Sequence, residues 1–128
     1  MTPTAWDADA VNTFARHMHL NPMGPLASPL EVMAGAHLYE YADKNQRALV
    51  AVRPVAFHAG NRLDIVGLES TGDRLEAKNF TLAMDDLARA HQAQYLACLT
   101  QQPHVAKACI KNGYVLTGAV LLKLVGGH

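Results

Sequence analysis

Apolar residues recur along this chain with two different periods, and the switches between them mark out the elements. From about Asp7 to His19, Val11, Phe14, Ala15 and Met18 fall at i, i+3, i+4 and i+7, the stripe of an amphipathic helix. Thr4 followed by Asp7 resembles a capping box, and Asp7 and Asp9 suit the positive end of the helix dipole. Trp6 is placed to staple the start of this helix. Pro22, Gly24, Pro25 and Pro29 break the stretch from Leu20 to Pro29, because proline removes a donor and restricts its predecessor. Ser28-Pro29-Leu30-Glu31 then reads as N-cap, proline at N1 and glutamate at N3, predicting a second short helix over Pro29 to Gly35.

The period then changes to two. His37 to Tyr41 predicts a strand, with a turn over Asp43-Lys44-Asn45-Gln46. Ala48 to Phe57 predicts a second strand, whose Pro54 implies an edge or a bulge. After the turn at His58 to Asn61, Arg62 to Glu69 predicts a third, with Leu63, Ile65 and Leu68 inward and Gly67 at a bulge or close approach. Short turns make these an antiparallel meander. The longest helix runs from about Leu75 to Gln92, with Phe80, Ala83, Met84, Leu87 and Ala88 as its stripe. Thr71-Gly72-Asp73 supplies its cap candidates, and Asp85 with Arg89 forms an i, i+4 pair. Tyr95 to Leu99 is a short buried strand. Pro103 opens a last helix, with Val105, Ala108 and Cys109 on one face and Asn112-Gly113 as its stop. Tyr114 to Leu116 and Ala119 to Val125 predict a terminal strand pair. The β-helix-β step over Leu75 to Leu99 implies one parallel crossover beside an antiparallel sheet, hence an α+β domain.

Composition narrows the function classes. At 128 residues, half of them hydrophobic, the chain is a single domain, 1–128, with enough apolar side chains for a core. Eleven basic residues balance eleven acidic ones, so nothing marks a nucleic-acid partner. The start, Met1 to Ala10, has no basic segment of the signal-peptide kind, and no run approaches the length of a membrane span. The cysteines, Cys98 and Cys109, form no CxxC pair, which suits a reducing, cytoplasmic setting. His17 and His19 stand two apart on a helix and do not face each other, so no metal site is expected. His104, at a helix start, reads as a surface residue.

The element order resembles that of the GNAT N-acetyltransferases over nearly the whole chain. Thr4 to Val11 is similar to that family's approach to its first helix, although its leading strand is almost absent here. Gln102 to Tyr114 is similar to the family's N-x-x-A-x-x-x-Y-x-x-x-G-[FY] helix, ending on Gly113-Tyr114. The junction from Glu69 to Leu82 is similar to its R-x-x-G-x-[GA] loop, with Arg74 as the arginine and Ala77 and Asn79 in place of the two glycines. The resemblance implies a mixed, mostly antiparallel central sheet flanked by helices, in three α/β/α layers. It implies acetyl-CoA as cosubstrate, held by Gly67, Leu68, Thr71, Gly72, Arg74, Ala77 and Gln102, and an amine, small-molecule or protein, as acceptor. Glu69 would be the general base, with Asp64 the other carboxylate available. Cys109, at the position of the family's tyrosine, would be the general acid. Since many GNAT proteins dimerise, the apolar Ala119 to Val125 edge suggests a homodimer.

Each residue also has a plainer reading. Gly67 would be an ordinary bulge, Arg74 a solvated arginine, Glu69 a surface charge and Cys109 a small buried hydrophobe. The altered loop and missing tyrosine also fit a GNAT-shaped protein without turnover, such as the assembly or virion components of tailed phages.

Overall fold

The computed structural model describes residues 1–16, 31, 34–72, 76–98, 103–118, 123 and 125, with backbone alone at Thr71, Gly72 and Ala77. In chain order they form β1 (Thr2–Thr4), α1 (Ala8–Ala15), β2 (His37–Asp43), β3 (Gln46–Phe57), β4 (Gly60–Gly72), α2 (Ala77–Ala90), β5 (Tyr95–Cys98) and α3 (Pro103–Lys111). The five strands make one sheet in the order β1-β2-β3-β4-β5. The β4–β5 pair is parallel and the other three are antiparallel, so the domain is α+β with a mixed sheet. The second predicted helix, Pro29 to Gly35, falls mostly outside the described residues, as do His17, His19 and most of Ala119 to Val125.

The hairpin between β2 and β3 turns at Lys44-Asn45, with Lys44 in the left-handed region at φ 54°. Alternation along β3 then sorts the core onto two faces. Ala48, Val50 and Val52 pack with Tyr41, Leu63 and Ile65 against Met84, Leu87 and Ala88 of α2. Ala51 packs with Leu38 against Ala10 and Phe14 of α1. Val50, Ala51 and Val52 have no exposed surface, so β3 is buried on both sides. Each fully buried side chain of the size of Val50, Val52, Leu63 or Met84 contributes about 1.5–3 kcal/mol.

Ala51 lies opposite Gly67, but Val52 lies opposite Ile65. Val66 is therefore an extra residue in β4, which places the expected bulge beside Gly67. An ideal Cβ on Gly67 would sit 2.8 Å from Cε1 and 2.9 Å from Cδ1 of Phe14. Glycine is thus required by the approach of α1. Phe14 is held in turn by Trp6, whose ring lies 5.6 Å away, and the Trp6 indole donates to the Ala36 carbonyl at 3.0 Å. Pro54 sits beyond Val52, where the β2 pairing ends, so its missing donor falls on a local edge.

Several expectations need correction. A leading strand is present: β1 pairs with Leu38 to Glu40 of β2. Thr4 belongs to that strand, and Asp7 caps α1 by accepting from the Ala10 amide at 2.8 Å. Thr71 and Gly72 end β4 instead of capping α2, whose N-cap is Glu76. Arg89 pairs with Asp86 at 2.9 Å, not with Asp85. Leu68 is in register with the buried Val50 yet is 43% exposed. On α3 the half-buried residues are Val105, Ala106 and Cys109, and Ala108 is exposed. Gly113 closes α3 as expected, at φ 98°, with the Tyr114 amide donating to the Cys109 carbonyl at 3.0 Å. Tyr114 to Leu116 forms no strand, and Val115 and Leu116 are 80% and 76% exposed.

Gly67→Ala is expected to destabilise the domain by about 1–3 kcal/mol, because the new methyl collides with a ring that is itself packed. Urea unfolding measures the loss, and Phe14→Leu in the same chain is expected to recover part of it.

Candidate functional site

The β4–β5 pairing runs from Arg62 opposite Tyr95 to Ile65 opposite Cys98. The Val66 bulge follows at once. From Gly67 to Gly72, β4 pairs with β3 on one side and, among the described residues, with no strand on the other. Among the described residues, this stretch of β4 therefore has one unpaired edge, between Cys98 at the end of β5 and Glu76 at the start of α2. Such an edge presents the amides and carbonyls that an extended ligand takes up by strand addition.

Gly67 and Leu68 lie on this segment of β4, as the sequence placed them, and Thr71 and Gly72, expected before the helix, lie on it too. Leu68 offers exposed apolar surface there. Glu69 is half-buried and in register with Leu49, on the α1 side of the sheet. Asp64 is not available as a base: it is buried, and Arg62 grips both of its oxygens at 2.5 and 2.9 Å. Arg62 also lies over the Phe57 ring, 4.8 Å from its centre. Ala77 is the first residue of α2. Arg74 and Gln102 lie outside the described residues.

The start of α2 is more crowded than the sequence suggested. The Glu76 amide donates to the Gln46 side-chain oxygen at 2.7 Å. The Asn79 amide group donates to Asp43 at 3.0 Å and to Glu76 at 3.3 Å. Two carboxylates thus stand where the resemblance implies a pyrophosphate. Their field reaches Tyr41, whose hydroxyl is pushed above its ordinary pKa by burial first and then by Asp43 and Glu76. Lys44 in the hairpin and Lys78 in the first turn of α2, both exposed, offset them in sign. Sequence reading missed this network because Asp43 and Gln46 come from a hairpin thirty residues or more before Glu76 and Asn79.

On the β5 side, Cys109 on α3 meets Cys98 thiol to thiol. Burial pushes the Cys98 thiol up to about 12, and Cys109 adds to the shift. The Tyr114 hydroxyl is raised well above the usual tyrosine range, by burial, then by Cys109, Cys98 and Asp85. This group of two thiols and a phenol takes in the expected Cys109. Its other members were legible only as an apolar strand residue and the residue after a helix stop. His104 is exposed, as expected.

Among the described residues, no group of three or more His, Cys, Asp or Glu side chains is arranged to hold a metal ion. Among the same residues, no helix is long and apolar enough to cross a membrane.

No protein-family model matches this sequence, and no curated protein does. The fold is similar to that of TTHA1254 from Thermus thermophilus, with a TM-score of 0.51 and 16% identity, over the whole of both chains. A point mutant of the same protein gives the same score and identity, over all of this chain and 99% of that one. At this identity the likeness concerns the fold alone.

With its pKa near 12, Cys98 is expected to resist alkylation in the folded protein at pH 8, where roughly one thiol in ten thousand is ionised. Timed iodoacetamide labelling read by peptide mass spectrometry is expected to show Cys98 reacting at least a hundredfold faster in urea than in buffer.

Proposed function

We propose that this chain is an acyl-CoA-dependent N-acyltransferase of the GNAT kind, with three α/β/α layers and acetyl-CoA bound along the open edge of β4. The observation that carries this reading is the coincidence of three features: the last β4–β5 pair at Ile65 and Cys98, the Val66 bulge, and the run to Gly72 with no described strand on its outer side. Pantetheine is an extended chain with two amides, and the edge of β4 offers matching partners. Leu68 gives its methylenes an apolar neighbour. The backbone from Thr71 to Ala77, with Arg74, would receive the phosphates at the start of α2. An amine would attack the thioester directly in a ternary complex. Glu69 would take its proton, and Cys109 or a water would supply one to the departing thiolate. A cytoplasmic setting agrees with two free cysteines.

A second reading has its own support. Asp43 and Glu76 at the start of α2 oppose a pyrophosphate, Gln46 already occupies one amide there, and a thiol paired to another thiol replaces a phenol. These features favour a GNAT-shaped binding or structural protein without turnover, of the kind that serves in phage assembly or the virion.

Calorimetric titration with acetyl-CoA and with CoA separates the two. The enzyme reading expects a micromolar Kd that Arg74→Ala weakens at least tenfold. It also expects Glu69→Gln to leave binding intact and to lower the rate of acetyl transfer in an amine screen. Asp43→Asn with Glu76→Gln is expected to tighten binding by removing two opposed charges. Absence of saturable binding at millimolar ligand, in the natural chain and in that double variant, would remove the enzyme reading and leave the second. The accompanying homodimer is checked by light scattering, and a strict monomer would exclude it.

A further inference from the structure

We propose that His37 and His91 together bind one divalent transition-metal ion of borderline character, such as Zn2+ or Ni2+, at the junction of β2 and the end of α2. His37 opens β2, and alternation puts it on the same face as Tyr39 and Tyr41, the face that α2 covers. His91 is the C-cap of α2. Packing of α2 on the sheet brings the two rings to 5.4 Å between centres, tilted by 49°.

That separation matches joint coordination. A metal–nitrogen bond of ~2.0–2.1 Å and ~1.1 Å more to the ring centre set each centre about 3.2 Å from the metal, hence about 5.2 Å apart at a tetrahedral angle.

The surroundings favour a cation. The Tyr39 hydroxyl lies 2.8 Å from Nε2 of His91, with the rings edge to face at 5.8 Å, so His91 has a fixed orientation. A partner on one imidazole nitrogen that leaves the other to coordinate is the usual arrangement around a metal-bound histidine. His91 also sits at the negative end of the α2 dipole. Two protein ligands leave two positions for water, so micromolar affinity is expected.

Titration of the whole chain with ZnCl2, and separately with NiCl2, at pH 7.5 tests this. The expected result is one site per chain that is weakened at least tenfold by His37→Ala and by His91→Gln, together with a rise in Tm on adding Zn2+ that His37→Ala abolishes. His37 is exposed, so its alanine variant keeps the fold, as circular dichroism would verify. The other five histidines, unchanged in both variants, serve as the internal control. Absence of binding by the natural chain, or a loss of less than tenfold in His37→Ala, would overturn the proposal.

Discussion

The course of the sheet's longest strand, β4, depends on one surplus residue. β3 and β4 pair over their whole lengths, and in that ladder Val66 has no register partner of its own. The insertion shifts the alternation, so that Ile65 and Leu68 lie on the α2 side while Gly67 and Glu69 lie on the α1 side. Among the described residues, it also adjoins the last β4–β5 pair. Phe14 secures the geometry from above, because only a residue without a Cβ allows its ring so near the strand.

The same constraint places the chemistry. Cys98 ends β5 at the level of the bulge, and Cys109 and Tyr114 close over it. At the far end of the edge, the β2–β3 hairpin supplies Asp43 and Gln46 to the start of α2. An exposed carboxylate about 6 Å from a phosphate opposes it by ~0.7–3 kcal/mol, depending on the effective dielectric, and lysines at similar distances return as much. Charge alone therefore does not decide what binds there. The committed hydrogen bonds weigh more, since a ligand must break those of Gln46 and Asn79 before it can use the same donors.

Much of the fold was legible because it follows from periodicity. The α2 stripe, the two inward residues of β4 before the bulge, the hairpin turn and the glycine stop of α3 are local patterns, and local patterns are what a sequence displays. Gly67 was marked as a bulge or close approach, and its reason, the Phe14 ring, came from a helix some fifty residues earlier. The misplaced features were those decided by a distant partner. A three-residue strand at Thr2–Thr4 is too short to show a period, and it exists because β2 offers an edge. Arg89 pairs with Asp86, one turn back, and not with Asp85, whose charge is felt at Tyr114. Asp64 reads as a free carboxylate until its neighbour two residues back is seen to clasp it. Among the candidate site residues on β4, Gly67 stood out in the strand pattern itself, and Thr71 and Gly72 were read as part of the junction before the helix. The groups that surround them required the fold.

The most direct measurement is amide hydrogen exchange across β4, with and without acetyl-CoA. Amides between Gly67 and Gly72 that face away from β3 are expected to exchange fast in the free protein, while those of Leu63 to Ile65 exchange slowly. Saturating acetyl-CoA is expected to slow the first group selectively, because the ligand completes the edge. Slow exchange from Gly67 to Gly72 without ligand, or no change when ligand is added, would contradict the claim that this edge is a binding slot.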